Sequence, residues 1–245
     1  MTPVILLHGW GFGPAVWDQP GFMLDGRVAP ALPGYGVTPR GVAAAGSDYL
    51  EQVTALLNTE LPPPVTPAIL VGWSLGALVA IALAQQYPAQ IRGLVLVAGL
   101  PCFQRSGNWP AGWSEAELRQ VREQLAQNPD NAWRYVAALA AHGDTKFKQV
   151  RAQLRATTMP ASAVLQAGLM CLQQTDLRQV LAALAVPVSG LFGGRDAMLG
   201  ADAAATLKSL RPDARVSVWP SAGHAPHLHD PAGFAGYLQN EINSL

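Results

Sequence analysis

A chain of 245 residues, 50% hydrophobic and only 13% charged, has the length and apolar content for one large α/β domain and is too apolar to be disordered. Its 16 basic and 16 acidic side chains cancel, which argues against a nucleic-acid binder with its usual basic excess. Cys102 and Cys171 are too few for a disulfide framework and lack metal-ligand spacing, so both are expected as small buried apolar groups, with no metal or other cofactor.

The first residues, MTPVILLHGWG, carry no basic segment, and their apolar run is far shorter than a signal-peptide core. No stretch approaches the ~20 apolar residues that span a bilayer. A soluble, cytoplasmic monomer without a membrane partner is expected. Residues 3–8 read as a buried strand ended by the turn G-W-G-F-G, and residues 26–36 as a second strand running into a Pro-Gly turn. Residues 47–59 have helical spacing, with Ser47 as N-cap. Strand 67–73, a small-residue helix over 75–87 stopped by Pro88, and strand 92–100 follow. Near-continuous apolar strands alternating with helices indicate a parallel sheet covered on both faces.

From 102 to 178 the alternation stops, and helices are expected at 114–127, 130–141, 145–156 and 160–173. It resumes with strand 186–196, helix 200–210, strand 214–220 and a last helix over 231–243. The expected organisation is therefore an α/β core, 1–101 with 179–245, and a helical lid over 102–178 inserted between two sheet strands.

Gly72-Trp73-Ser74-Leu75-Gly76 places one hydroxyl between two glycines, at a junction of strand and helix. That context is what a nucleophile elbow needs, because the sharp turn exposes the Oγ while the glycines let helix and strand pack closely. A serine hydroxyl attacks only when a base takes its proton and a third group orients that base. Asp196, in a glycine-rich loop after one strand, and His224, after the last, stand in the chain order that this architecture uses. Asp202 reads as a helix charge, His142 as solvated, Asp176 as a capping or salt-bridging residue, and His227 and His229 as rival bases. For the oxyanion, the backbone N–H groups of Leu75 and Trp10 are the expected donors, with the Trp10 side chain as a pocket wall.

Together His8-Gly9-Trp10-Gly11, the P-G-Y-G turn at 33–36, G-W-S-L-G, G-G-R-D and G-H-A-P resemble the α/β-hydrolase superfamily over essentially the whole chain. More narrowly, "PCF" with "WP" at 101–110, "TDLRQVL" at 175–181 and "GHAPHLHDP" are similar to the bacterial pimeloyl-[acyl-carrier protein] methyl ester esterases of biotin synthesis. The resemblance implies an α/β-hydrolase fold with a mostly parallel sheet. It also implies a serine carboxylesterase that removes a methyl ester from an acyl-carrier-protein-linked substrate. Tyr135, Val136, Ala137, Ala138 and Leu139 match the lid segment that lines the substrate pocket in that family, alongside Trp10, Ser74 and Leu75. Two departures from the family pattern are peripheral: the hairpin that usually precedes the first strand is expected to be missing or minimal, and Ala31 stands where Asp is common.

The lid helices carry more apolar residues than isolated helices need, Trp113, Leu118, Trp133 and Leu165 among them, so some must face the sheet. Lys146, Lys148, Arg151 and Arg155 stand against one acid, Asp144, and are a candidate docking face for an acidic carrier protein. Other readings of the same triad are a broad short-chain carboxylesterase, a carbon–carbon bond hydrolase or a cofactor-free peroxidase. A non-catalytic receptor-like protein is the reading from a different class.

Overall fold

The computed structural model describes residues 2–36, 49–63 and 65–245. The expected Ser47 cap lies outside the described residues. Strands β1 (Val4–Leu7), β2 (Arg27–Val28), β3 (Ala68–Trp73), β4 (Ile91–Val97), β5 (Val188–Gly193) and β6 (Arg215–Trp219) form, among the described residues, one sheet in the order β2-β1-β3-β4-β5-β6. Every pairing is parallel. The side chains of β1, β3 and β5 are buried without alternation, as expected where helices cover both faces.

From β1 the chain steps outward to β2, then returns to β3 on the other side of β1 and proceeds to β6. The strand order therefore reverses between β1 and β3. Loops leaving the carboxyl ends of these neighbours diverge and open a crevice, the place where open α/β sheets bind ligands. The loop after β1 is His8-Gly9-Trp10-Gly11, and the turn after β3 is Ser74.

Two helices on the sheet matter most here, α1 (Tyr49–Leu57) and α2 (Leu75–Gln86). Ten residues of α2 are buried, so this helix is apolar all round and lies in the core rather than on it. Between β4 and β5 come α3 (Glu115–Gln127), α4 (Pro129–Ala141), α5 (Phe147–Arg155), α6 (Ser162–Gln174) and α7 (Arg178–Ala183). Ser114 and Glu117 close a reciprocal capping box at the start of α3, worth about 1 kcal/mol. An antiparallel bridge between Cys102 and Asp176 brings the two ends of the inserted segment together at its neck.

After β5 and β6 come α8 (Ala203–Leu210), the short α9 (Pro226–His229) and α10 (Pro231–Ser244). The expected strand over 26–36 shrinks to two residues because Pro30 and Pro33 lack the N–H a sheet requires. Cys102 and Cys171 are both buried as free thiols. No helix among the described residues is long and apolar enough to cross a membrane.

Candidate active site

The turn from β3 into α2 forces Ser74 into φ 55°, ψ −117°, a conformation that L-residues rarely adopt. The neighbours make it possible. A Cβ on Gly72 would stand 2.3 Å from the Gly76 carbonyl oxygen, and one on Gly76 would stand 2.2 Å from that of Leu7. Only glycine at both positions lets α2 approach the sheet closely enough to hold the serine in this turn.

Ser74 Oγ lies 3.0 Å from His224 Nε2, and His224 Nδ1 lies 2.8 Å from Asp196 Oδ2. All three residues are buried, at 7%, 1% and 6% exposure. An ionised carboxylate only accepts, so Nδ1 carries the imidazole proton and donates it to Asp196, leaving Nε2 as the acceptor for the serine hydroxyl. The other Asp196 oxygen accepts the N–H groups of Met198 (2.8 Å) and Leu199 (3.0 Å), which aims the carboxylate at the ring. The Trp73 indole donates to the His224 carbonyl oxygen at 2.8 Å and ties the loop to the strand end.

The loop after β1 is fixed from several sides. Burial lowers the pKa of His8 to about 4, so the ring is neutral; its Nδ1 donates to Gly9 O and its Nε2 accepts the Leu32 N–H. Gly11 N–H donates to the Tyr35 hydroxyl at 3.0 Å. Two indoles reach across to the insertion: Trp10 Nε1 donates to Leu165 O and Trp133 Nε1 to Gly11 O, each at 2.7 Å. The Trp10 N–H makes no backbone bond among the described residues. Leu75, as the first residue of α2, has an N–H without an intrahelical acceptor.

Ser74 and His224 border a cavity of about 10 Å³ walled by Trp10, Phe12, Phe103, Trp113, Val136, Leu169 and Met198. Of the lid stretch expected to line it, only Val136 does so. Tyr135 is 42% exposed, while Ala137 is buried away from the cavity and Ala138 and Leu139 are half-buried. The reason is helical geometry, since five consecutive residues of α4 point all around its axis and only one spoke meets the serine. Ala140, one turn beyond Val136, also lines the cavity and was missed, although i+4 spacing identifies it.

The rival residues lie elsewhere. His227 is sealed among Trp17, Trp73 and Phe234 rather than facing the serine. His229 bonds Asp144 through Nδ1 at 2.8 Å, and His142 is exposed. Asp176 pairs with Arg178 at 2.6 Å, and Asp202 stands at the N-cap of α8 instead of inside the helix. Lys148 and Arg155 project from α5, Lys146 Nζ donates to His229 O at 2.8 Å, and Arg151 is half-buried with its guanidinium 6.0 Å from the Phe147 ring centre. Asp144, counted above as their counter-charge, instead turns inward and is buried.

Known proteins corroborate the architecture. A pimeloyl-[acyl-carrier protein] methyl ester esterase of Aromatoleum aromaticum is 36% identical over 98% of this chain and 97% of its own length. The enzyme of the same name from Nitrosomonas europaea is 36% identical over 94% and 92%. In fold, an esterase from Exiguobacterium antarcticum superposes with a TM-score of 0.81 at 16% identity, covering 99% of this chain and 92% of that one. A bromoperoxidase from Bacillus anthracis gives 0.82 at 16%, with the same coverage. The family model described as "Alpha/beta hydrolase family" matches residues 4–236, and the chain belongs to that family.

Proposed function

We propose that the protein is a serine carboxylesterase that hydrolyses the methyl ester of pimeloyl-[acyl-carrier protein] in biotin synthesis, with Ser74 as nucleophile, His224 as general base and Asp196 as its orienting carboxylate. The observation that carries this reading is the unbroken Ser74–His224–Asp196 hydrogen-bond chain, at 3.0 and 2.8 Å, in a chain 36% identical to esterases of that name.

In the first half-reaction Ser74 Oγ attacks the ester carbonyl while His224 Nε2 takes its proton. The oxyanion forms opposite the Leu75 and Trp10 N–H groups, whose donors stand at a helix N-terminus and in a rigidly bonded loop. His224 then returns the proton to the departing methoxide, releasing methanol and leaving an acyl group on Ser74. Water, deprotonated by the same imidazole, attacks the acyl-enzyme, and collapse frees the carboxylic acid and restores the serine. Loss of any donor in this set removes stabilisation made only in the transition state.

Residues 102–178 act as the lid. A cavity of about 10 Å³ holds roughly one water, so an acyl chain enters only when lid side chains move. Val136 and Ala140 are the α4 contacts for that chain, and Tyr135, Ala137, Ala138 and Leu139 support the helix around them. Lys146, Lys148, Arg151 and Arg155 form the face that draws an acidic carrier protein. The same reading makes the enzyme a cytoplasmic monomer, and the presence of Ser74, His224 and Asp196 in one chain supports chemistry that needs no partner subunit.

The test is a panel of dicarboxylic monomethyl esters of different chain length, each free and carrier-linked, with methanol release as the readout. A maximum in kcat/KM at the carrier-linked pimeloyl ester is expected. A flat profile across chain length and carrier would instead identify a broad short-chain carboxylesterase.

A further inference from the structure

The corner between α4 and α5 is bonded directly to the loop that carries His224. His224 N–H donates to Ala140 O at 3.1 Å, and Thr145 N–H donates to Ser221 O at 3.1 Å. Between them stands Asp144, whose side chain is wholly buried. One of its oxygens accepts the Lys146 N–H (2.6 Å) and His229 Nδ1 (2.8 Å), and the other accepts the N–H of Gly223 at 2.8 Å. Gly223 immediately precedes His224.

A carboxylate taken out of water is costly unless donors surround it, and here three do. Its hydrogen bonds to N–H groups are charge-assisted and roughly twice as strong as neutral ones. The catalytic loop is therefore hung from the lid by a buried carboxylate bond one residue from the imidazole. We propose that Asp144 is a positioning residue: by holding the Gly223 N–H it keeps the His224 ring at hydrogen-bond distance from Ser74. The inference rests on the reading of His224 as the base. It also sets where the lid moves, because opening at the α4–α5 corner would carry the base away from the serine. That corner stays docked through turnover.

The test compares Asp144→Asn and Asp144→Ala with His229→Leu and with His224→Ala, using p-nitrophenyl acetate and following kcat, KM and melting temperature. Misplacing a catalytic group by about 1 Å costs up to ~10²-fold in rate. Asp144→Ala, which leaves the Gly223 N–H without its acceptor, should therefore lose roughly 10- to 100-fold in kcat, with KM within about twofold of wild type, and Asp144→Asn, whose amide oxygen still accepts that N–H, should lose less. His229→Leu removes a different partner of the same carboxylate and leaves the Gly223 bond in place. It should lower the melting temperature while kcat stays within about twofold. Wild-type kcat in folded Asp144→Ala, or an equal kcat loss in His229→Leu, overturns the proposal. An active His224→Ala enzyme would instead overturn the assignment of the base itself.

Discussion

Replacing His227 with phenylalanine should stabilise the protein, and by more in acid than at neutral pH. The His227 ring centre lies 4.5 Å from that of Trp17 and 4.7 Å from that of Trp73, and neither ring nitrogen has a hydrogen-bond partner. A neutral imidazole carries one donor and one acceptor, and leaving a buried polar group unmet costs about 1–3 kcal/mol. Phenylalanine removes that cost but is slightly larger, and overpacking gives back ~1 kcal/mol or more. A net gain of about 1 kcal/mol at pH 8 corresponds to a rise of about 2–4 °C in melting temperature.

The pH dependence is the sharper part. Burial first, and the nearby His224 second, lower the pKa of His227 to about 3 in the folded protein. In the unfolded chain it is about 6.5. Between those values the unfolded state binds a proton that the folded state refuses, so wild-type stability falls by about 1.4 kcal/mol per pH unit on acidification. At pH 5 the accumulated loss is about 2 kcal/mol, and the phenylalanine variant does not suffer it. His8, with its pKa near 4, adds the same loss to both proteins and cancels. Urea unfolding read by tryptophan fluorescence at pH 8 and pH 5 measures the difference. Overpacking is independent of pH, so a variant advantage that fails to grow by about 2 kcal/mol at pH 5 refutes the buried, neutral assignment.

Two further outcomes follow from contacts already described. Gly76→Ala drives a Cβ into the Leu7 carbonyl oxygen, and a loss of about 3 kcal/mol or more is expected in the same unfolding assay; a loss under about 1 kcal/mol would mean that the elbow has room to spare. Reversing Lys148 and Arg155 to Glu together should raise KM for a carrier-linked ester about tenfold, since each exposed ion pair is worth up to about 1 kcal/mol. A p-nitrophenyl ester should be unaffected, and added salt should weaken only the carrier-linked reaction; equal loss on both substrates would indicate lid misfolding rather than docking.

What the sequence disclosed was what local pattern encodes. The elbow needs a strand, a helix and, between them, glycines on both sides of the serine, here Gly72 and Gly76, so Ser74 stands out as the candidate nucleophile in the sequence itself. Asp196 and His224 are legible the same way as candidates, as polar residues just beyond apolar strands, and the structure brings them into hydrogen-bond reach of Ser74. Asp144 was misread as a surface counter-charge because its partners, Gly223 and His229, are 79 and 85 residues away, and no periodicity links them. Of the lid stretch 135–139, Val136 alone borders the cavity beside Ser74, because a contiguous segment spreads around a helix that offers a single face. Short α7 and α9 escaped notice because four to six residues leave too little periodicity to read. His227 reads in the sequence as a rival base in the turn leading to the last helix, but the one-turn helix α9 turns it into an aromatic cluster.

The measurement that bears most directly on the whole account is methanol release from pimeloyl-[acyl-carrier protein] methyl ester by wild-type protein and by Ser74→Ala, with folding of the variant verified by its melting temperature. The variant deletes one oxygen, 3.0 Å from His224 Nε2, and leaves the turn that holds it in place. A drop on the order of 10⁴–10⁶-fold in kcat with an unchanged fold is the predicted result. Turnover within tenfold of wild type would contradict it, and would remove Ser74 from the chemistry.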